Sequence, residues 1–400
     1  MSSEVSSPSL ETGAAAAAGR ERADATPAPA RERVAILTSA LGGGGAQRSM
    51  VRLAGAIAGR GVEVDLVLVR AEGHFRDEVS SSVRIVDLGV RRTMFAVPAI
   101  VRYLKEERPS ALLSSLDYVN IVALWSRRLA RVPVRIVVNE QNTLSAAVAN
   151  ARTWRTRSMP RLIGRFYPWA DGVTTVSIGV ADDLAEATGI ARETITVIHN
   201  PVVTPALREM AEAPLDHPWF EPGEPPVFLS LGRMVPQKDF PNLLAAFASV
   251  RRSHEARLMI LGEGPDRAAL EFLAGELGLD REDVSMPGWV VNPYPYILRS
   301  RAFVLSSAWE GLPTVLIEAL CCGTRVVATD CPSGPREILQ GGRFGPLVPV
   351  GDPGALGSAM VQALSDDAQV PPDESWAPYI EDEIATRYLD ILLGAPVSAG

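Results

Sequence analysis

The chain has 400 residues, enough for two or three domains with a sizeable core, and its 47% hydrophobic and 22% charged residues are the balance of an ordinary globular protein. With 39 Lys plus Arg against 47 Asp plus Glu the formal charge is −8, which excludes a general nucleic-acid binder, because that binding needs a basic field. The three cysteines (Cys321, Cys322, Cys331) are odd in number and fit neither a disulfide framework nor a zinc site, and the four scattered histidines argue against a His-rich metal centre.

Residues 1–30, rich in Ala, Ser, Thr and Pro, cannot bury enough surface to offset ordering entropy and are expected to be a disordered tail. Their longest apolar stretch is five alanines, too short for the core of a signal peptide, and no run along the chain approaches the roughly 18–20 apolar residues that span a bilayer. From Arg33 onward strand and helix alternate. A strand at 34–38 ends in the glycines Gly42 to Gly45, a helix runs through Ala58, and strands follow at 62–69, 111–113, 134–138, 172–176 and 194–198. Residues 206–226 hold five prolines and are expected to be a connection between domains.

A second cycle then begins, with strands at 227–231, 257–261, 284–286, 302–305 and 325–328 and helices at 242–252, 266–277, 294–299 and 313–322. Such alternation predicts parallel sheets covered by helices on both faces, so the fold class is α/β with two doubly wound, Rossmann-like domains facing each other across a cleft. The expected domains are 31–205 and 227–375, with a last helix at 376–393 crossing back to the first.

The strongest site signals lie at carboxyl ends of strands in the second half. Gly232-Arg233 leaves a strand and Lys238 follows, which puts two cations where a diphosphate would sit; read blandly, they are two solvated surface charges. Glu310-Gly311-Leu312-Pro313-Thr314-Val315 precedes Glu318. Pro313 suits the first helical position and Leu312 cannot cap it, so the first amides stay available to an anion. Gly311 lets backbone approach a ligand closely. The two glutamates, with seven residues between them, would stand roughly 12 Å apart on a helix. That spacing suits two ends of an extended ligand better than a shared proton.

Together with Leu261-Gly262-Glu263-Gly264-Pro265, Gly288-Trp289-Val290, Ser333-Gly334-Pro335-Arg336-Glu337 and Leu347-Val348-Pro349, these motifs resemble the family 4 retaining glycosyltransferases of GT-B architecture over residues 33–393. The resemblance implies a nucleotide-sugar donor and makes Arg233 and Lys238 a diphosphate clamp and, with Glu310, the catalytic set. Glu310 would contact the donor sugar and Glu318 the ribose. Backbone at Gly311, Leu312, Pro313, Thr314 and Val315 would hold the distal phosphate, and backbone at Trp289 and Val290 would read the base. It further implies transfer of a hexose or N-acetylhexosamine, from a UDP-sugar by preference, to a saccharide acceptor.

In the first half Gly42 to Gly45 fails as a dinucleotide fingerprint, since Gln47 or Arg48 stands where the third glycine is needed. By resemblance Gly43, Gly44 and Gly45 border the acceptor side, as do Glu140 and Asn142 beyond another strand, where many family members carry a histidine and this chain has none. His199 reads as a hinge or packing residue, and His74, His217 and His254 as surface. The chain has no Asp-x-Asp pair, so no essential metal is expected. Between Arg152 and Trp169 it turns basic and aromatic without a single acid, which suggests peripheral contact with the inner face of the cytoplasmic membrane and a lipid-linked acceptor. Pro160 and Pro168 are expected to interrupt any long helix there. A nucleotide-sugar 2-epimerase and a non-catalytic nucleotide-binding protein are the alternatives.

Overall fold

The protein is described as a computed structural model covering residues 32–42, 44–151, 153–367 and 370–394; the predicted tail, Gly43 and Arg152 lie outside the described residues. In the first half β1 (Arg33–Thr38), β2 (Glu63–Leu68), β3 (Val83–Asp87), β4 (Ala111–Ser115), β5 (Arg135–Glu140), β6 (Gly172–Thr175) and β7 (Ile195–Val197) alternate with helices. These are α1 (Gly45–Ala58), α2 (Val97–Glu107), α3 (Asp117–Ala130), α4 (Leu144–Ala149), α5 (Trp154–Phe166) and α6 (Ile178–Thr188). The chain continues through α7 (Ala206–Ala211) to β8 (Val227–Leu231), α8 (Phe240–Arg251), β9 (Arg257–Leu261), α9 (Arg267–Glu276), β10 (Val284–Gly288), α10 (Tyr294–Arg299) and β11 (Ala302–Leu305). It ends with α11 (Thr314–Cys321), β12 (Val326–Thr329), α12 (Pro335–Ile338), β13 (Leu347–Val348), α13 (Pro353–Leu364) and α14 (Glu381–Leu393).

Two parallel sheets result, ordered β3-β2-β1-β4-β5-β6-β7 and β10-β9-β8-β11-β12-β13. Both are Rossmann-like. Strands buried on two faces must be apolar throughout, and β1 shows it: Val34, Ala35, Ile36 and Leu37 are all fully buried. Helices α2, α3, α5 and α6 cover one face of the first sheet and α1 and α14 the other. In the second sheet α8, α9 and α13 face α7, α10 and α11 across the strands. The strand order reverses between β1 and β4, and again between β8 and β11. Ligands of such sheets bind beyond the carboxyl ends at those switch points.

Several expectations need correction. Strands β3 and β13 escape the sequence because β3 is an edge strand with only Val83 buried, and β13 has two residues. The proline-rich stretch 206–226 contains a helix that the sequence reading left out: α7 packs Leu207 and Ala211 into the core of the second half. Helix α11 begins at Thr314, with Pro313 just outside it in an extended conformation. Pro160 does not break α5, which runs unbroken past it. The last helix does lie on the first half, where α14 packs on α1 and the Tyr388 hydroxyl accepts from Asn139 Nδ2 at 3.0 Å.

Candidate active site

The exits of β1, β5, β8, β9 and β11 converge on a cleft of about 630 Å³, within the size range of small-molecule sites. Its second-half wall starts at Gly232 and Arg233. Gly262 explains how the exit of β8 is seated: its φ is +128°, and a Cβ there would fall 2.1 Å from the Gly232 carbonyl oxygen. Glycine at 262 therefore lets the two strand exits touch, and the Gly232 amide donates to the Leu261 carbonyl at 3.0 Å. Arg233 stands exposed on the cleft wall with no side-chain hydrogen bond or ion pair to any described residue.

The turn Pro236–Lys238 brings the lysine back beside Gly232. Lys238 Nζ lies 2.6 Å from Glu310 Oε1, which also accepts from Ser307 Oγ at 2.6 Å. Glu310 is buried, so this pairing offsets the cost of taking its charge out of water. Gln237 Nε2 sits 3.5 Å from the second oxygen, Oε2. That oxygen is the less occupied of the two.

Glu318 is buried on α11, and its partners come from places the sequence did not single out. Oε1 accepts from Arg52 Nη2 and from the Tyr294 hydroxyl, each at 3.0 Å, while Arg48 Nη1 stands at 3.7 Å. Arg52 also donates to the Val202 carbonyl at 2.8 Å and to Tyr294 at 2.6 Å, so this partly buried guanidinium ties the first half to the second. Proximity to Tyr294 and Glu318 outweighs the desolvation of Arg52 and holds it firmly charged. All these contacts fall on Oε1. The only sequence signal was two arginines four apart on α1, directly after the glycines.

Helices α1 and α11 begin nose to nose: a Cβ at Gly45 would lie 2.8 Å from Thr314 Oγ1. Neither helix has a side-chain cap, so both present amides and the positive ends of their dipoles to the cleft. Gly44, Gly45, Leu312, Pro313, Thr314, Val315, Trp289 and Val290 all line it. Gly311 lines it too, and backbone of the first half approaches it closely. A Cβ there would be 2.0 Å from the Gln141 carbonyl oxygen of the first half.

The halves meet at further points. Ser177 Oγ donates to the Gly311 carbonyl at 2.9 Å, and Glu337 accepts from the Ile178 amide at 2.9 Å while lying 2.8 Å from His199 Nε2. His74 is exposed, and its ring stacks on Trp289 across the cleft at 5.1 Å, with Phe75 edge-on to the same indole. The expected acceptor residues separate. Asn142, with Gln141, lines the cleft. Glu140 does not: it is the last residue of β5, buried, and accepts from the Tyr167 hydroxyl at 2.6 Å. Burial, with Asp117 nearby, pushes its carboxyl up to about 8. Among the described residues no group of three or more His, Cys, Asp and Glu side chains is gathered as metal ligands are.

The profile of the Glycosyltransferase Family 4 domain matches residues 43–204, and that of the Glycosyl transferases group 1 domain matches residues 215–382. The chain is 28% identical over 330 residues to the lipopolysaccharide core biosynthesis glycosyltransferase LpsE of Rhizobium meliloti, covering 81% of this chain and 87% of that protein. It is 31% identical over 252 residues to the N-acetylgalactosamine-N,N'-diacetylbacillosaminyl-diphospho-undecaprenol 4-alpha-N-acetylgalactosaminyltransferase of Campylobacter jejuni, covering 63% of this chain and 66% of that one. Among solved structures it resembles the lipopolysaccharide outer core galactosyltransferase WaaB, at 20% identity and TM-score 0.65 over 90% of this chain and 99% of that one. Anabaena Alr3699/HepE, solved in complex with UDP and glucose, matches at 18% identity and TM-score 0.69 over 91% of this chain and 98% of that one.

Proposed function

This chain belongs to the glycosyltransferases of GT-B architecture, and from that premise we propose that it transfers a hexose or N-acetylhexosamine from a UDP-sugar, with retention, to a lipid-linked saccharide acceptor. The observation that carries the reading is the convergence of Arg233, Lys238, Glu310, Glu318 and two uncapped helix starts on one cleft. Breaking the glycosidic bond leaves negative charge on the distal phosphate. Preorganised donors aimed at charge that grows in the transition state are the largest single source of catalysis in many enzymes, and Arg233, Lys238 and the first amides of α11 supply them here.

Glu310 Oε2 would accept from donor-sugar hydroxyls, since Lys238 and Ser307 hold Oε1. Glu318 Oε2 would accept from the ribose, held in place through Oε1 by Arg52 and Tyr294. In retaining transfer the acceptor attacks from the face the phosphate leaves, and that phosphate takes the acceptor's proton. This assigns no proton relay to a histidine. With no Asp-x-Asp pair in the chain, the charge is met by protein donors and no metal is required. Among the described residues no helix is long and apolar enough to cross a membrane. The arginines of α5 would bring the enzyme to the inner face of the cytoplasmic membrane, where a lipid-linked acceptor resides.

The test is turnover of UDP-hexoses and UDP-N-acetylhexosamines in excess EDTA with a lipid-linked acceptor, followed by NMR of the new anomeric centre. Retained configuration and full rate in EDTA are expected. Inverted product, strict dependence on a divalent cation, or isomerisation of the donor without any acceptor would each overturn the corresponding part.

A further inference from the structure

The outer surface of the first half carries a second group of chemistry-bearing residues that the cleft does not use. Helix α3 turns Tyr118, Trp125 and Leu129 outward, at 44%, 39% and 55% exposure, and their spacing makes one stripe along the helix. Trp125 meets Phe166 and Trp169 edge-on at 5.5 and 5.2 Å, so the stripe continues into an aromatic cluster at the end of α5. Alongside, α5 exposes Arg155, Arg157, Arg161 and Arg165 with no acid among its residues. Of the aromatic residues in this segment Tyr167 is fully buried. Trp154, Phe166 and Trp169 remain.

Trp169 is also a wall of a separate pocket of about 490 Å³, bounded by Arg127, Arg128, Arg131, Arg135 and Asp171. Four guanidinium groups there face one carboxylate. Arg127 is committed to Asp171 and to the Trp169 carbonyl, and Arg135 to the carbonyls of Ile391 and Asp171. Arg128 lies 4.7 Å over the Trp169 ring, and neither it nor Arg131 has a carboxylate partner among the described residues. The carboxyl end of α3 offsets only about half a charge. The surplus calls for an anion, and guanidinium forks fit phosphate oxygens two at a time. The pocket opens where β5 begins, at the amino ends of the strands, whereas the donor cleft lies at their carboxyl ends. It is not a second donor site.

We propose that the α3–α5 face docks on a bilayer and that the Arg128–Arg131 pocket takes the phosphate of an anionic lipid headgroup. The inference rests on the membrane-apposed reading above and adds to it a defined site. A free phosphate would have no use for the exposed tryptophan–leucine stripe. A bilayer uses both parts: headgroups meet the arginines while aromatic rings settle at the interface.

Co-sedimentation of the full chain with vesicles of phosphatidylcholine, alone or mixed with phosphatidylglycerol, tests it. Wild type is expected to pellet with the mixed vesicles only, and Arg128→Ser/Arg131→Ser to lose roughly 10- to 30-fold in partition. Turnover on a soluble acceptor should be unchanged in that variant, which shows that it is folded. If the variant pellets like wild type while Arg155→Ser/Arg157→Ser/Arg161→Ser does not, the pocket is overturned and membrane contact through α5 survives. If wild type stays in the supernatant with both vesicles at low salt, pocket and membrane reading both fall, and transfer to soluble acceptors stands apart from either.

Discussion

At the residue scale the cleft separates groups that can be removed cleanly from groups that cannot. Arg233 has no partner to orphan among the described residues, so Arg233→Ala should lower transfer by about 10²–10³-fold with little change in Tm; wild-type rates would remove it from the clamp. Lys238 is a poorer probe, because its loss strands the buried carboxylate of Glu310. Arg52→Met should weaken nucleotide binding by about tenfold or more, with partial recovery in Arg52→Lys; undiminished affinity would show that Glu318 needs no such support. Glu140 makes a pH prediction. Its carboxyl is raised to about 8 by burial, whereas unfolded glutamate ionises near 4.3. Between those values the unfolded state has lost a proton that the folded state keeps, so stability falls as pH rises from about 4.3 to 8. Glu140→Gln should flatten that fall in Tm measured across the window, and an unchanged slope would place the effect elsewhere. The roles of Arg52, Arg48 and His74 are barely legible in the sequence. Each acquires its role from a partner in the other half, which local spacing does not identify.

At the element scale most of the fold was legible, because strands buried on both faces leave unbroken apolar runs. Val227–Leu231, Arg257–Leu261 and Ala302–Leu305 stand where those runs lie. β3 left no such run, as an edge strand with one buried residue. Pro160 misled for a different reason: a proline costs a helix one hydrogen bond and some crowding, and here Met159 and Ile163 anchor the helix on either side of it. The motif around Gly311 was legible as a glycine requirement, but its cause was not. The structure assigns that cause to the Gln141 carbonyl of the opposite half. Gly311→Ala should therefore push the exit loop of β11 from the first half, costing about 1–3 kcal/mol in denaturant unfolding and lowering turnover. Wild-type stability and rate together would show that the contact yields freely.

At the scale of the whole molecule the two sheets do different work around one cleft. The second half brings Arg233, Lys238, Glu310 and Glu318, while the first brings the start of α1, Arg48 and Arg52, and His74 and Phe75 against Trp289. The sequence signalled the second-half set strongly because its charged residues sit in apolar or glycine-rich surroundings at strand exits. Its signal for the first half was weak, since polar residues such as Gln141 and Asn142 look like any loop until the opposite wall is present. In the proposed function this cleft holds a nucleotide sugar with the two glutamates at opposite ends of it. Calorimetric titration of UDP into wild type, Glu310→Gln and Glu318→Gln addresses it most directly. One site is expected in wild type, near-normal affinity in Glu310→Gln, and a marked loss in Glu318→Gln. Absence of UDP binding to wild type, or equal losses in the two variants, would contradict it.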